Sequence, residues 1–386
     1  MPIEIEAFQS RLVDVENAAP SQVDCKLSGR LSGKLVGKRV VFVVNSDSGG
    51  GVEHIADMLG SFVRRHGALP VSIFLYPKDK ASLFLKLSSL ARAAFDIITA
   101  RADVIVTFQP TSSVLAMMLG RLLGCKIRIA HQSNLPETSH PIVSILDRVC
   151  GSLGFYTVNV MNSNATRAAF RMYPRRYQSC IREIAHGVTW QAPTKTVAEV
   201  REELAIPHGA KVLMTCSRLS EGKALDTIIR ALPMLERMHF IIAGDGPELE
   251  SLAGCARDLN VDHRVHFLGY VVRDHLCDLH EAADVFVFPS VRETFGLAVL
   301  EAAMHGVPVV ASSIPALREV MTLDNHTPAR FVDNWDAENW ARVVQEVISD
   351  PKRVTRALEF APRFREHYSE QRMLERYGAL FEELIP

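Results

Sequence analysis

The sequence predicts an α/β protein of two doubly wound domains, each a parallel sheet wrapped by helices, facing one another across a cleft. Three observations carry this. Short β-branched runs alternate with helical patterns as far as residue 185. The rhythm breaks over residues 186–211, which hold three turn signals and one short amphipathic helix, as suits a domain junction. It then resumes as a second series of strands and helices that runs to residue 312.

Taken in order, Arg39–Asn45 ("RVVFVVN") reads as a buried strand because it is apolar on both faces and a glycine loop, "SDSGGG", ends it. Val52–Arg65 has helical periodicity, and "VSIFLY" (71–76), "DVIVTF" (103–108) and "KIRIAH" (126–131) are further strands. Beyond the junction come "VLMTCS" (212–217), "HFIIAG" (239–244), "RVHFLG" (264–269), "DVFVFPS" (284–290) and "PVVAS" (308–312). The tail, 365–384, reads as one amphipathic helix with Tyr368, Leu374, Tyr377, Leu380 and Phe381 as its apolar members. The domains are therefore set at 1–187 and 188–364, followed by a helix, 365–386, that can pack back on the first domain. Ligands of open parallel sheets bind beyond the carboxyl ends of the strands, so loops of both domains should line the cleft.

Composition removes several function classes. A net charge of −1 on 386 residues gives no field for bulk nucleic-acid binding. No stretch of about 18 apolar residues reads as a membrane span, and "MPIEIEAFQS" lacks the basic and apolar regions of a signal peptide. The seven cysteines are scattered without a Cys-x-x-Cys pair, so neither a disulfide framework nor a zinc site is expected. Reduced thiols fit a cytoplasmic protein.

Chemistry concentrates in "RETFGLAVLE" (292–301), which sets Glu293 and Glu301 eight positions apart. Were all of it helical, the two carboxylates would lie about 12 Å apart along the axis, too far for an acid/base pair held roughly 5–9.5 Å apart. No His, Cys or second Asp lies near enough in sequence to complete a metal site, and Asp-x-Asp is absent from the chain. The better geometry puts Glu293 in a loop and Glu301 two turns into a helix. Thr294, Phe295 and Gly296 then form a first turn whose free N–H groups attract an anion, with Leu297 behind them. Such a groove suits a ligand with hydroxyls at both ends and phosphate between. A surface glutamate followed by a helix packed on Leu297, Val299 and Leu300 remains the plain structural alternative.

"SRLSEGKALDTIIRAL", "IIAGDGPELE", "VHFLGYV" and "FPSVRETFGLAVLEAAMHGVPVVAS" follow one another in this order. With their spacing they resemble the retaining glycosyltransferases of GT-B fold marked by Glu-x7-Glu, the group 1 kind. The resemblance covers nearly all of residues 212–316 and extends, more weakly, to the first-half glycine loop, "AHQSN", "NSNATRAAF" and "AHGV". It implies two Rossmann-like domains and transfer of a hexose from a nucleoside-diphosphate sugar to a glycan, lipid-linked or small hydroxylated acceptor. It also implies no cofactor and no metal. Arg218 and Lys223 would then face the diphosphate, where charge develops as the glycosidic bond breaks. Glu293 would face the transferred sugar, Glu301 the ribose, and His131 a sugar hydroxyl or the developing charge. Gly49, Gly50 and Gly51 permit close backbone approach to a ligand; Gly244 in "GDGPE" makes a tight or positive-φ turn beside the phosphate site, where Asp245 orders the loop rather than binding the anion; Leu268, Gly269 and Tyr270 would lie near the base. Two departures stand out: Ala224 replaces the glycine usual after this lysine, and His186 stands where Asn is common before Gly187.

Rival readings are a nucleotide-sugar epimerase and a non-catalytic partner of the same fold; the second would lack charge at 218, 223, 293 or 301. "SDSGGGVEH" does not fit Gly-x-Gly-x-x-Gly, which disfavours an oxidoreductase. Peripheral membrane contact is left open by Lys26, Arg30, Lys34, Lys38 and Arg39, and by "LFLKLSSLARAAF" (83–95), an amphipathic pattern that more often packs against a core.

Overall fold

The computed structural model describes residues 33–46, 50–76 and 83–386, the side chain of Leu83 excepted. Gly49, Lys26 and Arg30 lie outside the described residues. Two six-stranded sheets, every pairing parallel, organise the chain.

The first sheet holds β1 (Arg39–Val44), β2 (Leu69–Phe74), β3 (Val104–Thr107), β4 (Ile127–Gln132), β5 (Val158–Met161) and β6 (Ile181–Glu183), in the order β2-β1-β3-β4-β5-β6. Its connections carry α1 (Gly51–Arg65), α2 (Leu83–Ala100), α3 (Pro110–Leu122), α4 (Pro141–Ser152), α5 (Asn164–Ala169) and α6 (Arg175–Ser179). The second sheet holds β7 (Lys211–Cys216), β8 (Met238–Ala243), β9 (Val265–Phe267), β10 (Val285–Phe288), β11 (Val309–Ser312) and β12 (Arg330–Val332), in the order β12-β11-β10-β7-β8-β9. Around it lie α7 (Val197–Glu203), α8 (Asp226–Ala231), α9 (Leu249–Asp258), α10 (Arg273–Ala282), α11 (Leu297–Met304), α12 (Pro315–Val320), α13 (Ala337–Ser349) and α14 (Arg353–His367), and α15 (Glu370–Leu384) returns to the first sheet.

The unbroken apolar runs of β1 and β8 follow from cover on both faces. On the first sheet, Ile55, Leu59 and Phe62 of α1 fill one side, and Ala93, Ile97, Ala116, Met117 and Cys150 of α2, α3 and α4 fill the other. β6, β9 and β12 are three residues each, too short for a pattern of their own; β6 and β12 do not stand out in the sequence.

The tail departs from the single helix expected. α14 ends at Tyr368, Ser369 caps α15 by accepting from the Arg372 amide at 3.2 Å, and the chain turns between them. This turn is where the chain crosses between domains, and it is tied to the other crossing: the Val188 amide donates to the Tyr368 carbonyl at 2.8 Å. Met373, Leu374, Tyr377, Leu380 and Phe381 of α15 are buried in the first domain's core. Tyr368 instead packs edge-on against Phe295 of the second domain.

Candidate functional site

Each sheet reverses its strand order once, between β1 and β3 and between β7 and β10, and a crevice opens beyond the carboxyl ends of the strands at such a point. At the second-domain reversal, the loop after β7 carries Arg218 and Lys223 and the loop after β10 carries Glu293. Arg218 is exposed. Lys223 is largely buried, forms an ion pair with Glu293, and lies 5.1 Å from the centre of the Phe288 ring. Ser290 donates to the same Glu293 oxygen at 2.9 Å. Sequence reasoning sends Lys223 and Glu293 to different parts of a ligand; the fold joins them directly. Ala224 adopts left-handed backbone, φ 46° and ψ 39°, the geometry for which glycine is usual.

α11 begins at Leu297, not at Thr294. Gly296 precedes it at φ 94°, a left-handed conformation that reverses the chain and that glycine tolerates. The expected first turn, Thr294 to Gly296, is therefore loop, and Glu301 sits about one turn inside the helix rather than two. In the first turn of α11 the Val299 amide donates to the Gly296 carbonyl at 3.1 Å, whereas the Leu297 and Ala298 amides come too early for a partner within the helix; this end lies on the cleft side, because Leu297 meets α1 of the first domain. A Cβ on Gly51 would come 2.6 Å from Leu297 Cδ1. Gly50 is exposed just before α1, as its N-cap.

Glu301 is enclosed, and its carboxylate is 2.7 Å from the Arg273 guanidinium at the start of α10. Burial raises its pKa, and Arg273 opposes that shift. Arg273 is missed by sequence reasoning, since a lone arginine opening a helix carries no motif. Its charge also reaches His54 on α1, whose pKa burial and Arg273 together lower to about 4.

The "GDGPE" turn is chiefly architectural. Gly244 has φ 141°, and a Cβ there would lie 1.9 Å from the Ser217 carbonyl oxygen. Its amide donates to the Gly269 carbonyl at 2.7 Å, and the Leu268 amide donates to Ile242, so these loops are knitted together. Asp245 accepts from the Gly246 amide at 2.7 Å and orders the turn.

From the first domain, His131 comes from β4 but does not face open cleft. It is 1% exposed, neither ring nitrogen makes a hydrogen bond, and burial lowers its pKa to about 4. The reason is cover by two rings: Phe108 at 5.5 Å and His186, stacked at 5.1 Å. His186 in turn meets the Asn162 amide at 3.1 Å and the edge of Phe295 at 5.1 Å. Phe295 is therefore a buried interdomain wedge. Burial, then His131, holds the His186 pKa well below the ordinary range.

Thr294 is an interdomain bridge. Asn162 donates to its hydroxyl at 3.2 Å, and Ser163 and Thr166 donate to its carbonyl at 2.7 and 3.0 Å. Ser163 also caps α5, its side chain accepting from the Thr166 amide. Beside it, the Glu319 carboxylate of α12 accepts from the amides of Asn164 at 2.8 Å and Ala165 at 2.7 Å. At the first-domain reversal, the Asn45 amide donates to Gln109 at 2.8 Å and the Ser112 amide to the Asn45 side chain at 3.2 Å. Lys34 and Lys38 are committed to the protein, to the carbonyls of Glu382 and Ile385 and to Asp103. Among the described residues, no three His, Cys, Asp or Glu side chains are grouped to hold a metal.

The family model for glycosyl transferases group 1 matches residues 196–364. That match covers less than half of the chain, and these residues resemble a group 1 glycosyltransferase domain. Within the matched residues lie Arg218, Lys223, Arg273, Glu293, Glu301 and Glu319. An uncharacterized glycosyltransferase of Methanocaldococcus jannaschii is 35% identical over 153 residues, 39% of either chain. The lipopolysaccharide core biosynthesis glycosyltransferase LpsE of Rhizobium meliloti is 33% identical over 46% of this chain and 51% of its own. The chain thus spans about half the length, or less, of the curated relatives it matches. Among solved structures, Anabaena HepE in complex with UDP and glucose superposes with a TM-score of 0.76 at 19% identity, covering 89% of this chain and 99% of that one. The architecture is GT-B.

Proposed function

We propose that the protein is a retaining, metal-independent glycosyltransferase. It moves a hexose from a nucleoside-diphosphate hexose to a glycan, lipid-linked or small hydroxylated acceptor, in surface polysaccharide or glycoconjugate synthesis in the cytoplasm, and uses no cofactor. The observation that carries this reading is the convergence of Arg218, the Lys223–Glu293 pair and the α11 N-terminus at the strand-order reversal of the group 1 domain. Cleavage of the bond between the sugar and the diphosphate leaves charge on the leaving phosphate. Two cations and a helix N-terminus preorganised there stabilise it, which is the part a metal would otherwise play.

In this reading the acceptor attacks on the face from which the diphosphate leaves, and the departing phosphate takes the acceptor's proton. Glu293 holds the sugar and steadies Lys223; Glu301, shared with Arg273, holds the ribose. Leu268 and Gly269 flank the base, while Gly50, Gly51, Gly244 and the 294–297 segment shape the walls. His131 reaches the sugar only when His186 moves aside or the domains part, since both its nitrogens are buried. LpsE and HepE support the substrate class, the first by its name and the second by its bound UDP and glucose.

A thermal-shift panel over UDP-, GDP-, ADP- and dTDP-sugars tests the donor, because a ligand of the native state raises its melting temperature. Transfer with the stabilising donor should survive EDTA. Loss of activity in EDTA and its return with magnesium would refute metal independence, and an isomerised nucleotide sugar with no glycosylated acceptor would make the protein an epimerase.

A further inference from the structure

We propose that Arg273 is a positioning residue of the nucleotide site: its ion pair with Glu301 fixes the charge and the aim of the carboxylate that takes the ribose. The inference rests on the reading that Glu301 holds the ribose, and its test tells a failure of the one from a failure of the other.

Arg273 is the first residue of α10, where a positive side chain opposes the helix dipole. Helix formation does not ask for it there; what it meets explains it. Its guanidinium lies 2.7 Å from Glu301 Oε1 on α11, with the two side chains 29% and 12% exposed. The contact is one of charge rather than an aligned hydrogen bond, because that buried oxygen has no hydrogen-bond partner. Its lone pairs are left for a ligand hydroxyl, and a buried acceptor left empty is costly. The pair also joins two parts of the proposed site. Leu268, Gly269 and Tyr270, the loop read as flanking the base, lead directly into α10, and Arg273 ties that helix to α11.

The surrounding groups leave Arg273 as the charge that matters. α11 packs against α14, β10 and β11. β10 and β11 carry no titratable side chain, and Arg365 of α14 goes to the far end of α11, donating to the Met304 carbonyl at 2.7 Å. Lys223 is paired with Glu293. Cys216 of β7 is a neutral thiol, pushed up to about 12 by burial and then by Glu301. His54 of α1, facing Arg273, is lowered to about 4 by burial and Arg273. His305, at the end of α11, is lowered to about 4 and His280 of α10, stacked on it, to about 3, both chiefly by burial. All three imidazoles are therefore neutral near pH 7. Burial raises the Glu301 pKa, and Arg273 opposes it.

The sign of the effect follows. The ionised carboxylate is the stronger acceptor for ribose hydroxyls, so nucleotide affinity is present above the Glu301 pKa and lost as pH falls through it. Without Arg273 burial acts unopposed, and the loss moves to higher pH.

UDP, GDP, ADP and dTDP are tried on the parent by calorimetry, and the tightest binder is titrated from about pH 5 to about pH 8 into the parent, Arg273→Gln, Arg273→Lys and Glu301→Gln. Carbon NMR of labelled glutamate side chains follows Glu301 in the free proteins, with Glu301→Gln assigning its signal. Arg273→Gln should weaken the nucleotide by about tenfold at neutral pH, and by less at the alkaline end, while its Glu301 signal titrates at higher pH than the parent's. Arg273→Lys keeps the charge and should restore the parent's pH profile, and it carries the test should Arg273→Gln fail to fold. An unchanged affinity in Arg273→Gln, or a loss of equal size at every pH with Glu301 titrating as in the parent, would overturn the proposal. Glu301→Gln binding as the parent does, or a parent that binds none of the four nucleotides, would instead show that the ribose reading has failed and would take the proposal with it, even where the Glu301 signal still moves in Arg273→Gln.

Discussion

The second domain lines the cleft with charge: Arg218, Lys223 and Glu293 on loops, Arg273 and Glu301 at helix starts. The first domain lines it with neutral groups packed dry: His131, His186, Asn162, Ser163 and the Asn45–Gln109 pair. The outer faces differ in the opposite sense. Large exposed apolar residues of the second domain are scattered, whereas many of those of the first lie on α2, α3 and α4. Two similar parallel sheets thus divide the labour. One holds a charged ligand by fixed countercharge, and the other presents uncharged groups and an apolar exterior.

The division breaks most visibly if charge is removed from the second domain. Lys223→Ala should lower the turnover number by about a hundredfold to a thousandfold, as loss of one oriented stabilising donor does, and Arg218→Ala should act in the same direction. Charge that develops in the transition state affects turnover more than donor affinity. Steady-state kinetics decide: an unchanged turnover number in either variant removes that residue from the site.

His131→Ala is the matching test of the first domain. Transfer should fall by about a hundredfold, while affinity for the free nucleoside diphosphate, measured by calorimetry, should stay within a factor of two or so. Equal loss of both would mean that the substitution disturbs packing against Phe108 and His186.

A pH series sharpens the contrast at the level of stability. His54 and His131 have pKa values lowered to about 4, mainly by burial, against about 6.5 for the unfolded chain. Above pH 6.5 they are neutral in both states and have no effect. Below it the unfolded chain takes up protons that the folded chain refuses, so stability is lost as pH falls from about 6.5 toward 4. Melting temperatures between pH 7 and 5 should decline, and His131→Gln should flatten the slope. A decline of the same steepness in that variant would mean that His131 is not buried neutral. The smallest effect expected is at Ala224. Relieving its left-handed backbone with Ala224→Gly should stabilise the protein by about 1 kcal/mol, read from denaturant midpoints; a loss of stability would contradict the strain.

Most of the second domain was legible because its strands end in motifs whose chemistry is local: Arg218 and Lys223 five apart, Glu293 in a loop, Glu301 on a helix. The start of α11 was misplaced because Gly296, in left-handed backbone, delays the helix beyond Thr294. Arg273 and Glu319 were not legible at all. Each acquires its partner, Glu301 or the α5 amides, only when distant segments fold together. The same holds for His131, whose place at a strand end suggested the cleft, but which the rings of Phe108 and His186 cover. The outward-facing Ile142 and Ile145 of α4 were missed for a different reason: periodicity gives the width of an apolar face but not the side on which the core lies.

Calorimetry with the free nucleoside diphosphate on Glu293→Gln and Glu301→Gln tests the central claim most directly. A charge-assisted hydrogen bond to a ribose hydroxyl is worth about 1.5–3 kcal/mol, so Glu301→Gln should weaken the nucleotide by about tenfold to a hundredfold. Glu293→Gln should leave that affinity almost unchanged while transfer falls sharply, because its carboxylate serves the sugar and Lys223. Equal losses of nucleotide affinity in the two variants would contradict the account.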